Sequence, residues 1–231
     1  MPILYEDSRI IVVDKPHFLP TTPRGMWYRS TALIRLREMT GEPDIIPAHR
    51  LDRATAGVLV FVRDRRCRGK YQMLFQNRQV HKEYECLSPA KPLKQPRFGT
   101  VKPLNPPSVF PLLRSSRILK HRGILQACEE RGSVNAKTIV DLATEQPLEQ
   151  TQGGYRKYSL RPLTGKTHQL RVHMNSMGIP IKYDNLYPSL RDDAKDDFGK
   201  PLALVARSLS FIDPVSKKEQ HFISRIPLSL T

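Results

Sequence analysis

Short apolar runs and alternating segments dominate the hydrophobic pattern of this 231-residue chain. Residues 10–14 predict a short buried strand, and residues 57–63 form a nearly continuous apolar run typical of a central strand. Residues 80–87 alternate between apolar and polar side chains, as a strand with one buried face does. Further strands are predicted at 136–143, 155–163, 202–212 and 219–223.

Helical spacing of apolar residues occurs in three segments, 32–39, 65–78 and 167–177. Ser30 or Thr31 is expected to cap the first of these helices, and Gly41 to end it. The last one ends at Gly178, shortly before Pro180. Few helices among many strands, with hairpin-length gaps, predict an α+β fold with a largely antiparallel or a mixed sheet.

Seven prolines fall between residues 89 and 111 in a stretch without regular periodicity. Such a stretch is typical of an extended connector. We therefore expect one domain over 1–231 with two sub-halves, about 1–88 and 112–231, joined by residues 89–111.

The chain is strongly basic: 38 Lys and Arg against 22 Asp and Glu give a net charge of +16. Residues 51–125 hold 16 basic and 4 acidic side chains and therefore carry +12 of this charge, and no acid lies between Glu85 and Glu129. Either a solvated surface or a nucleic-acid-binding surface would account for this local excess of positive charge.

Several classes of protein are excluded or disfavoured. No apolar stretch approaches the roughly 18–20 residues of a membrane span, and the first residues do not resemble a secretory signal, so we expect a cytoplasmic protein without a membrane partner. The three cysteines match neither a disulfide framework nor a zinc motif, and His168 and His173 are spaced poorly for a metal pair. No P-loop or dinucleotide fingerprint occurs, so neither a metal nor a nucleotide cofactor is expected.

Two polar segments are candidates for chemistry. In the first, residues 49–57 (HRLDRATAG), Asp52 follows Arg50 closely and precedes Arg53, which favours the ionised carboxylate. An ordinary turn capped by Asp52 explains the same pattern. The second, residues 163–174 (LTGKTHQLRVHM), predicts an amphipathic helix whose start could bind an anion or could be an ordinary surface helix end.

Taken together, three motifs resemble those of the RluA-like RNA pseudouridine synthases. Residues 49–57 match the family's HRLDxxTSG motif, residues 82–84 (KEY) match KxY, and residues 165–173 (GKTHQLRVH) match GRTHQ[IL]RVH. The resemblance extends from about residue 3 to residue 227. Departures from the family pattern occur at Ala56, Lys166, Tyr183 and Val205.

The resemblance implies a pseudouridine-synthase fold, a bent mixed sheet in two halves around a basic cleft, without an N-terminal accessory RNA-binding domain. It implies that Asp52 is the catalytic carboxylate, acting either as nucleophile at C1′ or as base at C2′. Arg171 would pair with Asp52, Tyr84 would stack on the uracil, and Arg50 would help to extrude the base. The other implied substrate-binding residues are His49, Arg53, Thr55, Lys166, His168 and Gln169.

The implied substrate is ribosomal RNA, transfer RNA or both, and the implied enzyme is a monomer that requires no cofactor. A competing interpretation is a non-catalytic basic RNA-binding protein that keeps the fold, although binding alone does not need Asp52, Tyr84 and Arg171. A ribosome-associated structural protein is a third possibility, but it predicts low-complexity basic tails that this sequence lacks.

Overall fold

Strands outnumber helices in the computed structural model, which describes residues 1–23, 29–143, 154–190 and 198–228. Within these residues the strands are β1 (Ile3–Glu6), β2 (Ile10–Lys15), β3 (Ile46–Pro47), β4 (Ala56–Val62), β5 (His81–Pro89), β6 (Thr100–Pro103), β7 (Leu112–Leu119), β8 (Cys128–Glu130), β9 (Ala136–Leu142), β10 (Tyr155–Pro162), β11 (Leu204–Ile212) and β12 (Glu219–Ile223). The helices are α1 (Ala32–Thr40), α2 (Arg68–Gln76) and α3 (Gln169–Ser176).

The chain forms two compact units, which do not follow the order of the sequence. The first contains Met1–Lys82 and Val205–Pro227, and the second contains Glu83–Leu204. The predicted sub-halves place residues 205–227 with the C-terminal half, whereas in the structure β11 and β12 complete the first unit. Residues 89–111 lie inside the second unit and contain the short strand β6.

In the first unit the strand order is β1-β2-β4-β11, with β3 on β4 and β12 on β11. Neighbours are antiparallel except for β4 and β11, which run parallel. Every residue of β2 and β4 is buried, as their continuous apolar runs predict. The predicted central strand and the mixed, mainly antiparallel α+β fold are thus confirmed.

Helix α1 has the ends that the sequence predicts. Of the two candidate N-caps it is Thr31 whose hydroxyl accepts the Ile34 N–H, at 3.3 Å. Gly41 ends the helix with φ of 71° and donates its N–H to the Arg37 carbonyl at 2.8 Å. The second predicted helix, 65–78, begins instead with a 3-10 turn over Arg65–Cys67 and becomes α-helical only at α2.

The second unit has the antiparallel order β5-β10-β9-β7-β6, with β8 paired to β7. Helix α3 packs beside β9 and β10. It begins at Gln169, two residues later than predicted, because His168 adopts a left-handed conformation with φ of 56°. Its apolar face is buried as expected, with Leu170 and Met174 inside the unit.

One buried arginine organises the segment around β6. Arg114 donates to the Phe98 carbonyl at 2.8 Å and the Thr100 carbonyl at 3.2 Å, and it pairs with Glu129 at 2.6 Å. These partners satisfy a charge that would be costly to bury alone. Among the described residues, none of the helices is long and apolar enough to span a membrane.

Candidate functional site

Asp52 lies in a tight turn in the first unit, directly before β4. Its carbonyl accepts the Thr55 N–H at 3.1 Å, which closes the turn. On the other side the buried Thr21 hydroxyl accepts the Leu51 N–H at 3.0 Å and donates to the Leu51 carbonyl at 2.8 Å. The backbone on both sides of the half-buried Asp52 is therefore held in place.

The turn leads into β4 through a residue that must be glycine. Gly57 has φ of +114°, a conformation that side chains other than hydrogen rarely tolerate. A Cβ atom at this position would lie 2.2 Å from the carbonyl oxygen of Ala206 on β11. The Gly57 backbone can therefore approach β11 closely only without a side chain.

A buried ammonium group lies on the other side of the same turn. Lys15 Nζ donates to the Pro16 carbonyl at 2.9 Å and the Leu19 carbonyl at 2.8 Å, and it reaches the Arg53 carbonyl at 3.5 Å. Burial lowers the pKa of Lys15 to about 7, while the Asp52 carboxylate favours its charged form and Arg53 opposes it. Asp52 and Lys15 therefore influence each other electrostatically.

Lys15 was not among the predicted site residues, since the first strand was predicted over residues 10–14 and ends before it. Two charged residues, Asp14 and Lys15, directly follow a buried apolar run, and this is the signal that could have revealed the role of Lys15.

His49 is a neutral residue tied to β4. Its Nε2 accepts the Val60 N–H at 3.2 Å, and its ring stacks on Phe75 with the centroids 4.3 Å apart. Burial, with a smaller effect of the Lys82 charge, lowers the pKa of His49 to about 3. Because Nε2 accepts a hydrogen bond, the single proton of the ring is on Nδ1.

The remaining predicted residues of this segment differ in exposure. Arg50 is exposed, Thr55 is buried, and Arg53 is half-buried with its guanidinium carbon 5.8 Å from the centroid of the Phe18 ring. The structure thus places His49, Arg50, Asp52, Arg53 and Thr55 on one short segment of the first unit.

In the second unit, Arg171 is buried on α3 and held by two side chains. It donates from Nε to Asp184 Oδ2 at 2.8 Å and from Nη2 to Asp184 Oδ1 at 2.6 Å, with a longer contact to Asn185 Oδ1 at 3.3 Å. Asp184 Oδ1 also accepts the N–H groups of Leu186 and Tyr187. Asp184 was not among the predicted site residues, although the segment after α3 that contains it also resembles the family pattern.

Gln169 at the start of α3 is buried and fully hydrogen-bonded. Its Oε1 accepts from the Thr164 hydroxyl at 2.7 Å and the Lys166 N–H at 3.1 Å. Its Nε2 donates to the Lys137 carbonyl and the Thr138 hydroxyl, both at 2.9 Å. This side chain therefore shapes the loop before α3. It also accepts the Lys166 N–H, a group that the predicted anion site could have used.

The two histidines around α3 bond to different partners. His168 Nδ1 lies 3.1 Å from the Tyr187 hydroxyl. The buried His173 lies between the Ser116 and Thr138 hydroxyls, at 3.0 and 2.9 Å, and burial lowers its pKa to about 3.

Tyr84 is half-buried on β5, where it pairs with Leu160 of β10. Of the three predicted catalytic residues, Tyr84 and Arg171 therefore belong to the second unit, together with Lys166, His168 and Gln169. Asp52 belongs to the first unit.

Comparisons with known proteins agree with the motifs. Residues 9–176 match the family of RNA pseudouridylate synthases. The "dual-specificity RNA pseudouridine synthase RluA" of Vibrio parahaemolyticus is 32% identical over 217 residues, which cover 93% of this chain and 78% of that protein. The "tRNA pseudouridine(31) synthase" of Saccharomyces cerevisiae is 27% identical over 81% of this chain and 46% of its own length.

A solved structure shows the same fold. Human RNA pseudouridylate synthase domain containing 4 superposes with a TM-score of 0.65 and 24% identity, over 97% of this chain and 88% of that chain.

Proposed function

Because this chain belongs to the RNA pseudouridylate synthase family, we propose that it isomerises uridines in ribosomal RNA, transfer RNA or both, with Asp52 as the catalytic carboxylate. The match over residues 9–176 carries the proposal, since it includes Asp52, Tyr84 and Arg171. The similarity to an enzyme named for dual specificity on RNA and to a transfer-RNA enzyme supports RNA as the substrate and transfer RNA as one of its classes.

The reaction breaks the C1′–N1 bond, turns the uracil and joins C1′ to C5, so that C5 loses a proton and N1 gains one. Every atom of the product comes from the substrate or from water, which is consistent with action without a cofactor. An ionised Asp52 could attack C1′ or remove a C2′ proton, and both routes remain open. The Asp52 carboxylate and the buried Lys15 side chain interact electrostatically, which places a second polar group beside the proposed catalytic one.

In this proposal Arg171 pairs with Asp52 and orients it. The two hydrogen bonds to Asp184 hold the plane of the Arg171 guanidinium, which supports a positioning role for Asp184. Tyr84 stacks on the uracil of the extruded nucleotide.

Access to C1′ requires that the uridine leave its stack, and the exposed Arg50 is suited to fill the space that it vacates. Arg53, Thr55, Lys166, His168 and His49 are proposed to contact the RNA or to shape the surface that does. For Gln169 we propose a positioning role, since its four hydrogen bonds hold the loop that carries Lys166.

The test compares Asp52→Asn with the wild type on bulk ribosomal and transfer RNA. Pseudouridine is mapped after incubation, and RNA binding is measured separately. We expect Asp52→Asn to bind RNA like the wild type and to form product at least about a hundredfold more slowly. Asp44→Asn, which changes an exposed acid of the same unit, is the matched control and should leave product formation unchanged.

Product formed by Asp52→Asn at the wild-type rate would refute the role of Asp52. RNA binding without product from the wild type on either RNA class would favour the non-catalytic RNA-binding protein. The single-domain organisation, the basic cleft, the monomeric state, the cofactor-free reaction and the cytoplasmic location stay predictions.

A further inference from the structure

The hairpin of β7 and β8 brings together three side chains that the proposed reaction does not use. His121 lies in the loop that follows β7, and Cys128 and Glu130 lie on β8. Because alternate residues of a strand project to the same side, Cys128 and Glu130 share one face of β8. Glu129, between them, projects to the other side, where it pairs with the buried Arg114.

The donor atoms of these three side chains are close to one another. His121 Nε2 lies 2.6 Å from Glu130 Oε1, and Cys128 Sγ lies 3.6 Å from the same oxygen. All three donor atoms lie within 4.8 Å of one another. Tetrahedral Zn²⁺, with bonds of about 2.0–2.3 Å, separates its donors by roughly 3.3–3.8 Å. Small side-chain movements therefore suffice to surround an ion.

We propose that His121, Cys128 and Glu130 bind one Zn²⁺ ion, with water in the fourth position. Imidazole, thiolate and carboxylate are the three zinc ligands that proteins use, and a site with a thiolate disfavours magnesium and calcium. Within the described ranges these residues form the sole such cluster of three or more His, Cys, Asp or Glu side chains.

The proposed ligands themselves supply the negative charge that a divalent cation needs. Bound thiolate and carboxylate together contribute two negative charges, which balance the two positive charges of the ion. The neighbouring Lys120 ammonium is turned to the carbonyls of His121 and Ile124, and Arg117 donates to the Arg131 carbonyl at 3.3 Å. Both cations are thus engaged by backbone oxygens.

The bound ion would join the loop after β7 to β8. Neither the spacing of the three cysteines nor the pair His168 and His173 predicts this site. The proposed ligands are instead one cysteine and its neighbours across a hairpin, which the pairing of Leu119 with Cys128 brings together.

The experiment uses the full chain, without a purification tag and freed of metal with a chelator. Co²⁺ is titrated as a spectroscopic probe, because a cysteine ligand produces a thiolate-to-cobalt charge-transfer band. We expect one Co²⁺ per chain, its displacement by Zn²⁺ and a higher melting temperature with Zn²⁺. The thiolate band reports on Cys128, since Cys67 and Cys86 are buried.

Cys128→Ser should abolish the band, and His121→Asn should weaken binding at least tenfold. Glu130→Gln keeps the shape of the side chain but removes its charge, and it should also weaken metal binding. His81→Asn, a change at an exposed histidine outside the cluster, is the control and should bind like the wild type. A wild type that shows no band, or a band that persists in Cys128→Ser, would overturn the proposal. Pseudouridine formation is assayed separately, so failure of either proposal leaves the other standing.

Discussion

Arg171 and Asp184 form a bidentate pair in which the two side chains are buried and 13 positions apart in sequence. The Asp184 carboxylate also accepts two backbone N–H groups, which hold it in place independently of the arginine. The orientation of the Arg171 guanidinium therefore depends on Asp184.

Asp184→Asn should lower the free energy of unfolding by about 3–5 kcal/mol, because it leaves the Arg171 charge buried without its partner. Equilibrium denaturation measures the loss. Asp44→Asn, in an exposed ion pair with Arg65, should cost less than about 1 kcal/mol. Equal losses in the two variants would show that the buried pair does not contribute as described.

Arg171→Lys keeps the charge but removes the planar fork that fits the Asp184 carboxylate. We expect pseudouridine formation to slow roughly a hundredfold, the size of effect that a misplacement of about 1 Å can produce. RNA affinity should change much less. Single-turnover rates and binding are measured below the melting temperature of the variant, with exposed Arg161→Lys as the control. A wild-type rate would argue against an orienting role for Arg171.

Gly57→Ala should destabilise the first unit by about 1–3 kcal/mol or more, since the new Cβ would collide with the Ala206 carbonyl. Gly69→Ala is its matched control, because nothing lies within 4 Å of a Cβ at this position in α2. That variant should gain about 0.5–1 kcal/mol from helix propensity. Thermal unfolding distinguishes the two, and equal stability of both variants would contradict the close approach of β4 and β11.

The buried His173 makes stability depend on pH in a defined window. Its pKa is about 3 in the folded protein and near 6.5 in the unfolded chain, so the unfolded state binds one more proton between these values. Stability therefore falls as the pH decreases from 6.5, with a contribution approaching about 1.4 kcal/mol per pH unit. Unfolding free energies measured from pH 7 to pH 4 reveal the slope.

A glutamine at position 173 can still form hydrogen bonds to Ser116 and Thr138, but it does not titrate. In His173→Gln the unfolding free energy should therefore depend on pH less steeply, by up to about 1.4 kcal/mol per pH unit. The exposed His81→Gln should keep the wild-type slope. An unchanged slope in His173→Gln would show that this histidine is not the source.

Local patterns predicted much of the fold because they report burial along a single element. The apolar runs of β2 and β4 and the caps of α1 depend on neighbouring residues, and all were found. The eight-residue strand β7 was missed, since it directly follows the proline-rich stretch that was predicted to be a connector. Short strands such as β6 and β8 were also missed, since three or four residues carry too little periodicity and become strands only by pairing with β7.

The sequence by itself determined the α+β class, the main elements and, through three motifs, the family and the candidate residues. Only the tertiary structure decided which groups these residues meet. It begins α3 at Gln169, buries Lys15 beside the Asp52 turn, joins Arg171 to Asp184 and gathers His121, Cys128 and Glu130 on one hairpin. The physical reason is that such partners lie on separate turns, strands and loops, and their contacts arise from packing that no local pattern encodes.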